Sequence, residues 1–242
     1  MSDSKLYTRE EYIYLSRLYE KAEKYQEQFK FINKYVELDP KLSKDERNIL
    51  GSGYKNIISD KRNSLRTINS LEKRNIYQIT YIKEIKEKIE KELSLILSEV
   101  QKILDKFLIP NAIDIENKVF YLKLKADFMR YKCEISYGKE LEENIIKTEK
   151  VYKEATDLAN KELKINNSTR LGLALNYSVF YYEIKKAKEE AINIAKNAFD
   201  EAMKIIDDLE ISKAKDTLLI IQMLKENLIS WCNEMNNEFD KF

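Results

Sequence analysis

The stretch Lys118-Val-Phe-Tyr-Leu-Lys-Leu-Lys-Ala-Asp-Phe-Met-Arg-Tyr131 combines a helical apolar pattern with charges in unusual positions. On an α-helix, with about 100° between successive residues, Lys123, Asp127, Arg130 and Tyr131 fall on one stripe. Apolar side chains flank this stripe on both sides. The stripe is therefore predicted to point toward the interior of the protein.

The opposite face of the same helix supports this orientation. It collects Lys118, Lys125 and Lys132, which is typical of a face in contact with solvent. Charges turned inward are costly unless they are paired or serve a ligand. The stripe is either an interhelical salt-bridge network or an electropositive groove for an anion, in which Asp127 holds Arg130 in place. This helix alone does not decide between the two.

The composition predicts an all-α protein. The 242 residues include only 4 Gly and 2 Pro, with 35% charged and 43% hydrophobic residues. Such a mixture is typical of long amphipathic helices with enough apolar material for a core. The net charge of +1 gives no global field that favours nucleic acid or a membrane. Any anion site must therefore be a local cluster of Lys and Arg.

The residue types that most enzymes and cofactor sites require are missing from the sequence. It contains no His, the usual residue of acid–base catalysis and of catalytic zinc sites. It has no Gly-rich phosphate loop, serine nucleophile elbow or Cys-x-x-Cys motif. Asp207-Asp208 is similar to an aspartate-rich magnesium motif but lacks its third Asp and a second copy, so the pair is interpreted as a solvated helix end. We therefore expect no enzymatic activity, no metal and no cofactor.

Two features predict a cytoplasmic location. Cys133 and Cys232 make no disulfide framework, which suits a reducing compartment. The first residues lack the apolar run of a signal peptide, and no apolar segment reaches the roughly 18 residues of a membrane span. We expect neither secretion nor membrane insertion.

Capping signals and prolines divide the chain into nine helices. Thr8 is a candidate N-cap, Ser43-Lys-Asp-Glu46 is a capping box, and Gly138 is a candidate C-cap. Short connections predict antiparallel neighbours within one domain that spans residues 1–242. The predicted helices cover about 8–21, 23–38, 43–74, 76–108, 114–137, 140–164, 168–185, 187–208 and 213–236.

Three other predicted helices carry polar residues on an inward stripe. The third helix aligns Lys55, Arg62 and Arg66, and Asn residues lie on the stripes of the seventh and ninth helices. Asn has a poor helix propensity and competes for backbone hydrogen bonds. Together the stripes indicate one groove, basic on one wall and lined by Asn and aliphatic residues on the other. The two Asn-containing stripes are Gly172, Asn176, Val179 and Glu183, and Leu219, Met223, Asn227 and Ser230.

Several long motifs of this chain resemble those of the 14-3-3 family, and the resemblance covers essentially the whole sequence. It implies nine antiparallel helices in a cup-shaped protomer with a concave amphipathic groove, and a homodimer or a heterodimer with a related protein. It also implies a non-catalytic adaptor that binds phosphoserine or phosphothreonine segments of client proteins. The motifs are Asp45-Glu-Arg-Asn-Ile-Leu50, Tyr54-Lys-Asn56, Phe107-Leu-Ile-Pro-Asn-Ala112, Lys118-Val-Phe-Tyr-Leu-Lys123, Arg170-Leu-Gly-Leu-Ala-Leu-Asn176, Ser178-Val-Phe-Tyr-Tyr-Glu183 and Ala198-Phe-Asp-Glu-Ala202.

The resemblance assigns roles to the residues on the stripes. The phosphate pocket of the family falls on Lys55, Arg62, Arg130 and Tyr131, with Asp127 as the acid that orients them. Two guanidinium groups, an ammonium group and a phenol suit a phosphoryl group with about two negative charges and three acceptor oxygens. The amides that hold the peptide backbone match Asn176 and Asn227. The residues that line the groove match Lys123, Leu175, Val179, Glu183, Leu219, Ile220, Met223 and Trp231.

The chain also departs from the family pattern. The segment 67–85 is shorter than usual, and Ile85 lies where a Tyr is common near the dimer contact. Residues 1–75 are expected to hold the dimerisation helices, and residues 233–242 a short flexible tail. A helical-repeat scaffold that binds unphosphorylated peptides is the alternative function, but its regular period of about 34 residues is absent.

Overall fold

The computed structural model describes residues 6–72, 79–206 and 215–239. In these ranges the protein is built from nine α-helices, which confirms the predicted class and helix number. Short π-helical segments continue α4, at Leu104–Leu108, and α7, at Phe180–Lys185. The helices are α1 Arg9–Lys21, α2 Tyr25–Leu38, α3 Lys44–Glu72, α4 Ile79–Ile103, α5 Ile115–Cys133, α6 Gly138–Glu162, α7 Ser168–Val179, α8 Lys188–Met203 and α9 Lys215–Phe239.

The chain separates into two compact units. The first unit comprises Met1–Ile113 and contains α1 to α4, and the second unit comprises Asp114–Phe242 and contains α5 to α9. No helix in the described ranges is both long and apolar enough to cross a bilayer. The predicted helix boundaries at residues 74 and 76, and the Asp207-Asp208 pair, lie outside the described residues.

The predicted caps start the helices of the first unit. Thr8 caps α1, because its side chain accepts from the Glu11 N–H while the Glu11 carboxylate accepts from the Thr8 N–H. Ser43 and Glu46 make the same reciprocal pair at the start of α3. Each capping box satisfies two backbone N–H groups that a helix end would otherwise leave unpaired. Both predicted helix starts are confirmed.

The core of the first unit is apolar and aromatic, and a series of polar contacts runs through it. Ile32, Tyr35 and Tyr54 are fully buried. The Tyr54 hydroxyl donates to Asn33 Oδ1 at 2.7 Å, and Asn33 Nδ2 donates to Glu99 Oε1 at 2.7 Å. These two hydrogen bonds link α2, α3 and α4, and they connect the buried Tyr54 phenol to the Glu99 carboxylate through Asn33. A buried hydroxyl left without such a partner would cost about 1–3 kcal/mol.

The end of α5 differs from the prediction. The helix ends at Cys133 instead of about Tyr137, because the Ser136 hydroxyl donates to the Lys132 carbonyl at 2.8 Å. In a continuing α-helix that carbonyl would accept from the Ser136 N–H, which instead bonds to the Cys133 carbonyl. The predicted C-cap role of Gly138 is wrong. Gly138 begins α6 with a φ of 53°, a left-handed conformation that glycine adopts easily.

The C-terminal segment also differs from the prediction. The ninth helix was predicted to end at about residue 236, but α9 continues to Phe239. The segment contains neither Gly nor Pro, so no helix-terminating residue interrupts it. Residues 240–242 lie outside the described part of the chain.

Candidate functional site

The charged stripe of α5 meets α6 and α7 at the carboxylate of Asp127. Asp127 is 5% exposed. Its Oδ2 accepts from Lys123 Nζ at 2.8 Å and from Asn176 Nδ2 at 2.8 Å, and its Oδ1 accepts from the Tyr152 hydroxyl at 2.7 Å. One carboxylate therefore joins residues predicted to bind a ligand on two different helices.

Asp127 remains an anion at this buried position. Burial alone would raise the pKa of Asp127, but the charges of Lys123 and Arg130 and hydrogen bonds from Lys123 and Tyr152 hold that pKa below its ordinary value. A cation and two neutral hydrogen-bond donors offset the free energy that a carboxylate loses when burial removes its hydrating water. The negative charge is therefore a fixed part of the site at neutral pH.

Arg130 lies beside Asp127 with its guanidinium only partly paired. The residue is 6% exposed, its Nε donates to the Tyr152 hydroxyl at 3.4 Å, and its Cζ lies 4.6 Å from the centre of the Tyr131 ring. Its Nη1 lies 3.8 Å from both Glu134 and Glu183. These two separations exceed the roughly 2.7–2.9 Å of a charge-assisted hydrogen bond. The guanidinium is thus held in orientation while retaining capacity for a stronger acceptor.

Tyr152 was not predicted as a site residue, although it contacts both charges of the stripe. It is fully buried in α6 and stacks on Tyr177 at 5.1 Å between ring centres. Its hydroxyl donates to Asp127 and accepts from Arg130, so it fixes both side chains. A lone Tyr in an amphipathic helix, distant in sequence from the stripe, carries no pattern by which it could have been found.

The predicted stripe of α7 faces α5 and α9. Asn176 donates one amide N–H to the Asp127 carboxylate, and this hydrogen bond fixes the plane of the amide. A Cβ at Gly172 would lie 3.5 Å from Lys123 Cε and 3.6 Å from Ile220 Cδ1, so this position lies between α5 and α9. Glu183 lies in the π-helical segment after α7, with its side chain 55% exposed. Such segments often occur at functional sites.

The apolar residues predicted to line a groove divide into exposed and buried sets. Leu219 and Met223 of α9 are 62% and 43% exposed. Val179, Ile220 and Asn227 are half-buried. In contrast, Leu175 is 5% exposed and Trp231 is 7% exposed, and both belong to a cluster with Leu224. Leu175 is therefore a core side chain of the second unit rather than part of its open surface.

An aromatic stack holds the C-terminal half of α9. The rings of Tyr182 and Trp231 lie 4.4 Å apart at an angle of 10°, and the Tyr182 hydroxyl donates to the Glu234 carboxylate. Both contacts join α9 to the π-helical segment after α7. Trp231 is therefore held against the π-helical segment that follows α7.

The basic stripe of the first unit faces solvent. Lys55 and Arg66 are exposed, and Arg62 is half-buried. The expectation that this stripe points inward is therefore wrong for Lys55 and Arg66. All three lie on α3, whose buried face is formed instead by residues such as Ile57, Ile58 and Leu65.

One buried and two half-buried carboxylates predict a loss of stability in acid. Burial alone would raise the pKa of Glu46 and of Glu149, but hydrogen bonds from Arg9 and Ser43 and from Lys185 and Tyr181, respectively, lower both pKa values. Asp127 behaves in the same way. Groups with a lowered pKa in the folded state contribute stability above their unfolded pKa of about 4, and that stability is lost as pH falls through the folded pKa.

We therefore expect a melting temperature that is nearly constant from pH 7 to pH 5 and falls below about pH 4. Differential scanning calorimetry in buffers of equal ionic strength measures this. An Asp127→Asn variant should show a shallower fall, because it lacks one of the titrating groups. An unchanged slope in that variant would contradict the assignment of a lowered pKa to Asp127.

Comparison of the sequence with known proteins identifies its relatives. The family model for 14-3-3 proteins matches residues 15–232. The 14-3-3-like protein D of Nicotiana tabacum is 42% identical over 97% of each chain. The 14-3-3-like protein GF14 phi of Arabidopsis thaliana is 44% identical over 95% of this chain and 89% of its own, and human 14-3-3 protein eta is 40% identical over 95% and 96%. The chain therefore belongs to the 14-3-3 family.

Proposed function

We propose that this protein is a non-catalytic adaptor that binds phosphoserine- or phosphothreonine-containing segments of client proteins. The phosphate would be bound by Lys55, Arg62, Arg130 and Tyr131. The observation that carries the proposal is the state of Arg130. Its guanidinium is buried and oriented by Tyr152, yet its Nη1 reaches two carboxylates only at 3.8 Å. A phosphoryl group offers the bidentate acceptor that this fork lacks.

The rest of the client segment would be held along α7 and α9. An extended peptide has unpaired backbone N–H and C=O groups, which the amides of Asn176 and Asn227 can satisfy in pairs. The hydrogen bond from Asn176 to Asp127 supports this role, because it fixes one N–H and directs the rest of the amide. Leu219 and Met223 provide exposed apolar surface for client side chains.

The direct test compares one peptide with and without its phosphate. Two charge-assisted hydrogen bonds of about 1.5 kcal/mol each predict at least about 100-fold tighter binding of the phosphorylated form. Fluorescence anisotropy with a labelled peptide measures both affinities. Equal affinities would reject the proposal and favour a scaffold for unphosphorylated peptides.

We further propose that the protein is a homodimer, or pairs with a related protein, through the helices of residues 1–75 and α4. Exposed apolar residues with a spacing of four occur on α1, where Tyr14 and Leu18 are 63% and 42% exposed. Tyr81 and Ile85 of α4 repeat the spacing at 70% and 49%. Such surfaces on a folded chain favour association.

Cys133 and Cys232 are both free, which supports a cytoplasmic location.

We expect light scattering at tens of micromolar to give about twice the 28.8 kDa mass of one chain. Leu18→Lys should shift this mass toward the monomer, because it places a charge in the apolar contact. Ile146→Lys is the matched control, since Ile146 is 68% exposed but lies on α6. A single 28.8 kDa species for the unmodified protein would disprove the dimer.

A further inference from the structure

Two tyrosines hold the guanidinium of Arg130 from different directions. Its Cζ lies 4.6 Å from the centre of the Tyr131 ring, and this contact restricts how the guanidinium can tilt. The Tyr152 hydroxyl lies 3.4 Å from Arg130 Nε and accepts its N–H. Together the two contacts restrict the rotation of the guanidinium before any ligand arrives.

The hydroxyl of Tyr152 has a single proton, which it gives to Asp127. It donates to Asp127 Oδ1 at 2.7 Å, and an ionised carboxylate can only accept. The lone pairs of the phenol oxygen therefore face Arg130, whose Nε–H is the donor. Burial and the charge of Asp127 raise the pKa of Tyr152 well above its ordinary value, so the phenol stays neutral and this arrangement does not change near neutral pH.

The position of this hydroxyl is set by the packing of its ring. Tyr152 is fully buried. Its ring stacks on that of Tyr177 at 5.1 Å and an angle of 20°, and the Phe180 ring lies 5.4 Å away. Because side chains in a protein interior are close-packed, the ring cannot turn its hydroxyl away from Arg130. The hydroxyl is therefore a fixed acceptor.

The guanidinium of Arg130 offers an oxyanion two different pairs of N–H groups. One pair is on Nε and Nη2, and the other is on Nη1 and Nη2. The Nε–H points to the fully buried Tyr152. Nη1 lies near Glu134 and Glu183, whose side chains are 26% and 55% exposed. The Nη1–Nη2 pair is therefore the one directed toward the surface, from which a ligand arrives.

We propose that Tyr152 is a positioning residue of the phosphate site: its hydroxyl occupies the Nε–H of Arg130 and so directs the phosphoryl group to Nη1 and Nη2. This role rests on the proposed phosphopeptide-binding function. Tyr152 does not touch the ligand, because its one proton is given to Asp127. The 3.4 Å contact is longer than the roughly 2.9–3.0 Å typical of an N–H···O bond, so it acts mainly on the direction of the guanidinium.

The unmodified protein provides a test that needs no substitution of Tyr152. The probe is acetyl-Leu-Ala-phosphoserine-Ala-Leu-amide, and ¹H–¹⁵N spectra at low temperature record the guanidinium N–H signals. The signals that disappear in Arg130→Lys are those of Arg130. Saturation with the probe should move the Nη–H signals of Arg130 downfield and leave its Nε–H signal near its original position. A downfield shift of the Nε–H signal as large as that of the Nη–H signals would overturn the proposal.

Tyr152→Phe removes the hydroxyl and keeps the ring in its stack. Affinity for the phosphorylated probe should fall about 10-fold, because Arg130 loses its alignment and Asp127 loses a donor. Affinity for the unphosphorylated counterpart of the probe should stay within about 2-fold. Fluorescence anisotropy with labelled peptides measures both. An equal loss for the two peptides, or an unchanged affinity for the phosphorylated one, would overturn the proposal.

Tyr177→Phe is the matched control. Tyr177 lies in the same stack and is 9% exposed, but its hydroxyl bonds to that of Tyr181. Removing this hydroxyl should leave both affinities unchanged. A loss equal to that of Tyr152→Phe would show that the stack as a whole, and not the Tyr152 hydroxyl, sets the site.

The same measurements separate the role of Tyr152 from the proposed function. Equal affinity of the unmodified protein for the two peptides would reject phosphopeptide binding itself. Discrimination by the unmodified protein that persists undiminished in Tyr152→Phe would reject only the positioning role.

Discussion

Arg130→Ala is expected to weaken phosphopeptide binding at least about 30-fold, because removing one partner of a shielded charge pair typically costs about 2–5 kcal/mol. Arg130 is 6% exposed and is oriented by the Tyr152 hydroxyl and the Tyr131 ring. Its side chain therefore loses little freedom when a phosphate binds. Fluorescence anisotropy with one labelled phosphopeptide gives the change in dissociation constant.

Substitutions of other Lys and Arg residues, which differ from Arg130 in position and exposure, provide the comparison for Arg130→Ala. Lys118→Ala removes an exposed charge from the same helix and should change affinity by no more than about 2-fold, as a surface charge contributes little. Arg62→Ala should match Arg130→Ala, whereas Arg66→Ala, one helical turn further on and exposed, should lose less. Lys55→Glu should lose more than Lys55→Ala, since it sets a like charge against the phosphate.

The melting temperature of Arg130→Ala decides between the two interpretations of the α5 stripe. Asp127 would keep its bonds to Lys123, Asn176 and Tyr152, so the melting temperature should change by no more than a few degrees. Undiminished phosphopeptide binding together with a much lower melting temperature would show a purely structural salt-bridge network. The structure contains elements of both interpretations, since the stripe is a network whose arginine is incompletely paired.

The sequence was sufficient to predict those structural features that depend on residues close together in the chain. The starts of α1 and α3 were predicted from Thr8 and Ser43 because a cap depends on residues three positions apart. The inward direction of Asp127 and Arg130 followed from helical periodicity and is confirmed by exposures of 5% and 6%. The end of α5 was missed because it depends on the Ser136 hydroxyl, which donates to the Lys132 carbonyl in place of a backbone N–H. Such local competition by a Ser side chain is weak and leaves no periodic pattern in the sequence.

Features that depend on packing between helices could not be predicted. Tyr152 enters the site from α6 only because that helix packs on α5, and Leu175 is buried only because α8 and α9 cover it. The solvent exposure of Lys55 and Arg66 was missed for the same reason. Periodicity identifies the faces of a helix, but it does not determine which of two polar faces a neighbouring helix covers.

The largest loss of stability is expected for Asp127→Ala. Breaking a buried ion pair by removing one partner typically costs about 3–5 kcal/mol, because the other groups stay buried without compensation. Here the loss would leave the Lys123 ammonium, the Asn176 amide and the Tyr152 hydroxyl without their shared acceptor. For a chain of this size, about 3 kcal/mol corresponds to a fall in melting temperature of roughly 6–12 °C.

Two further variants show whether this loss comes from the buried carboxylate. Asp127→Asn keeps an acceptor oxygen but removes the charge, and should lie between Asp127→Ala and the unmodified protein. Glu143→Gln, in an exposed pair with Lys147 at 3.5 Å, should change the free energy of unfolding by less than about 0.5 kcal/mol. Calorimetry and urea denaturation measure all three variants. Removal of a buried ion-pair partner should destabilise the protein by more than about 1 kcal/mol. A smaller destabilisation for Asp127→Ala, with phosphopeptide binding lost, would therefore mean that the carboxylate acts only on the ligand-binding side chains.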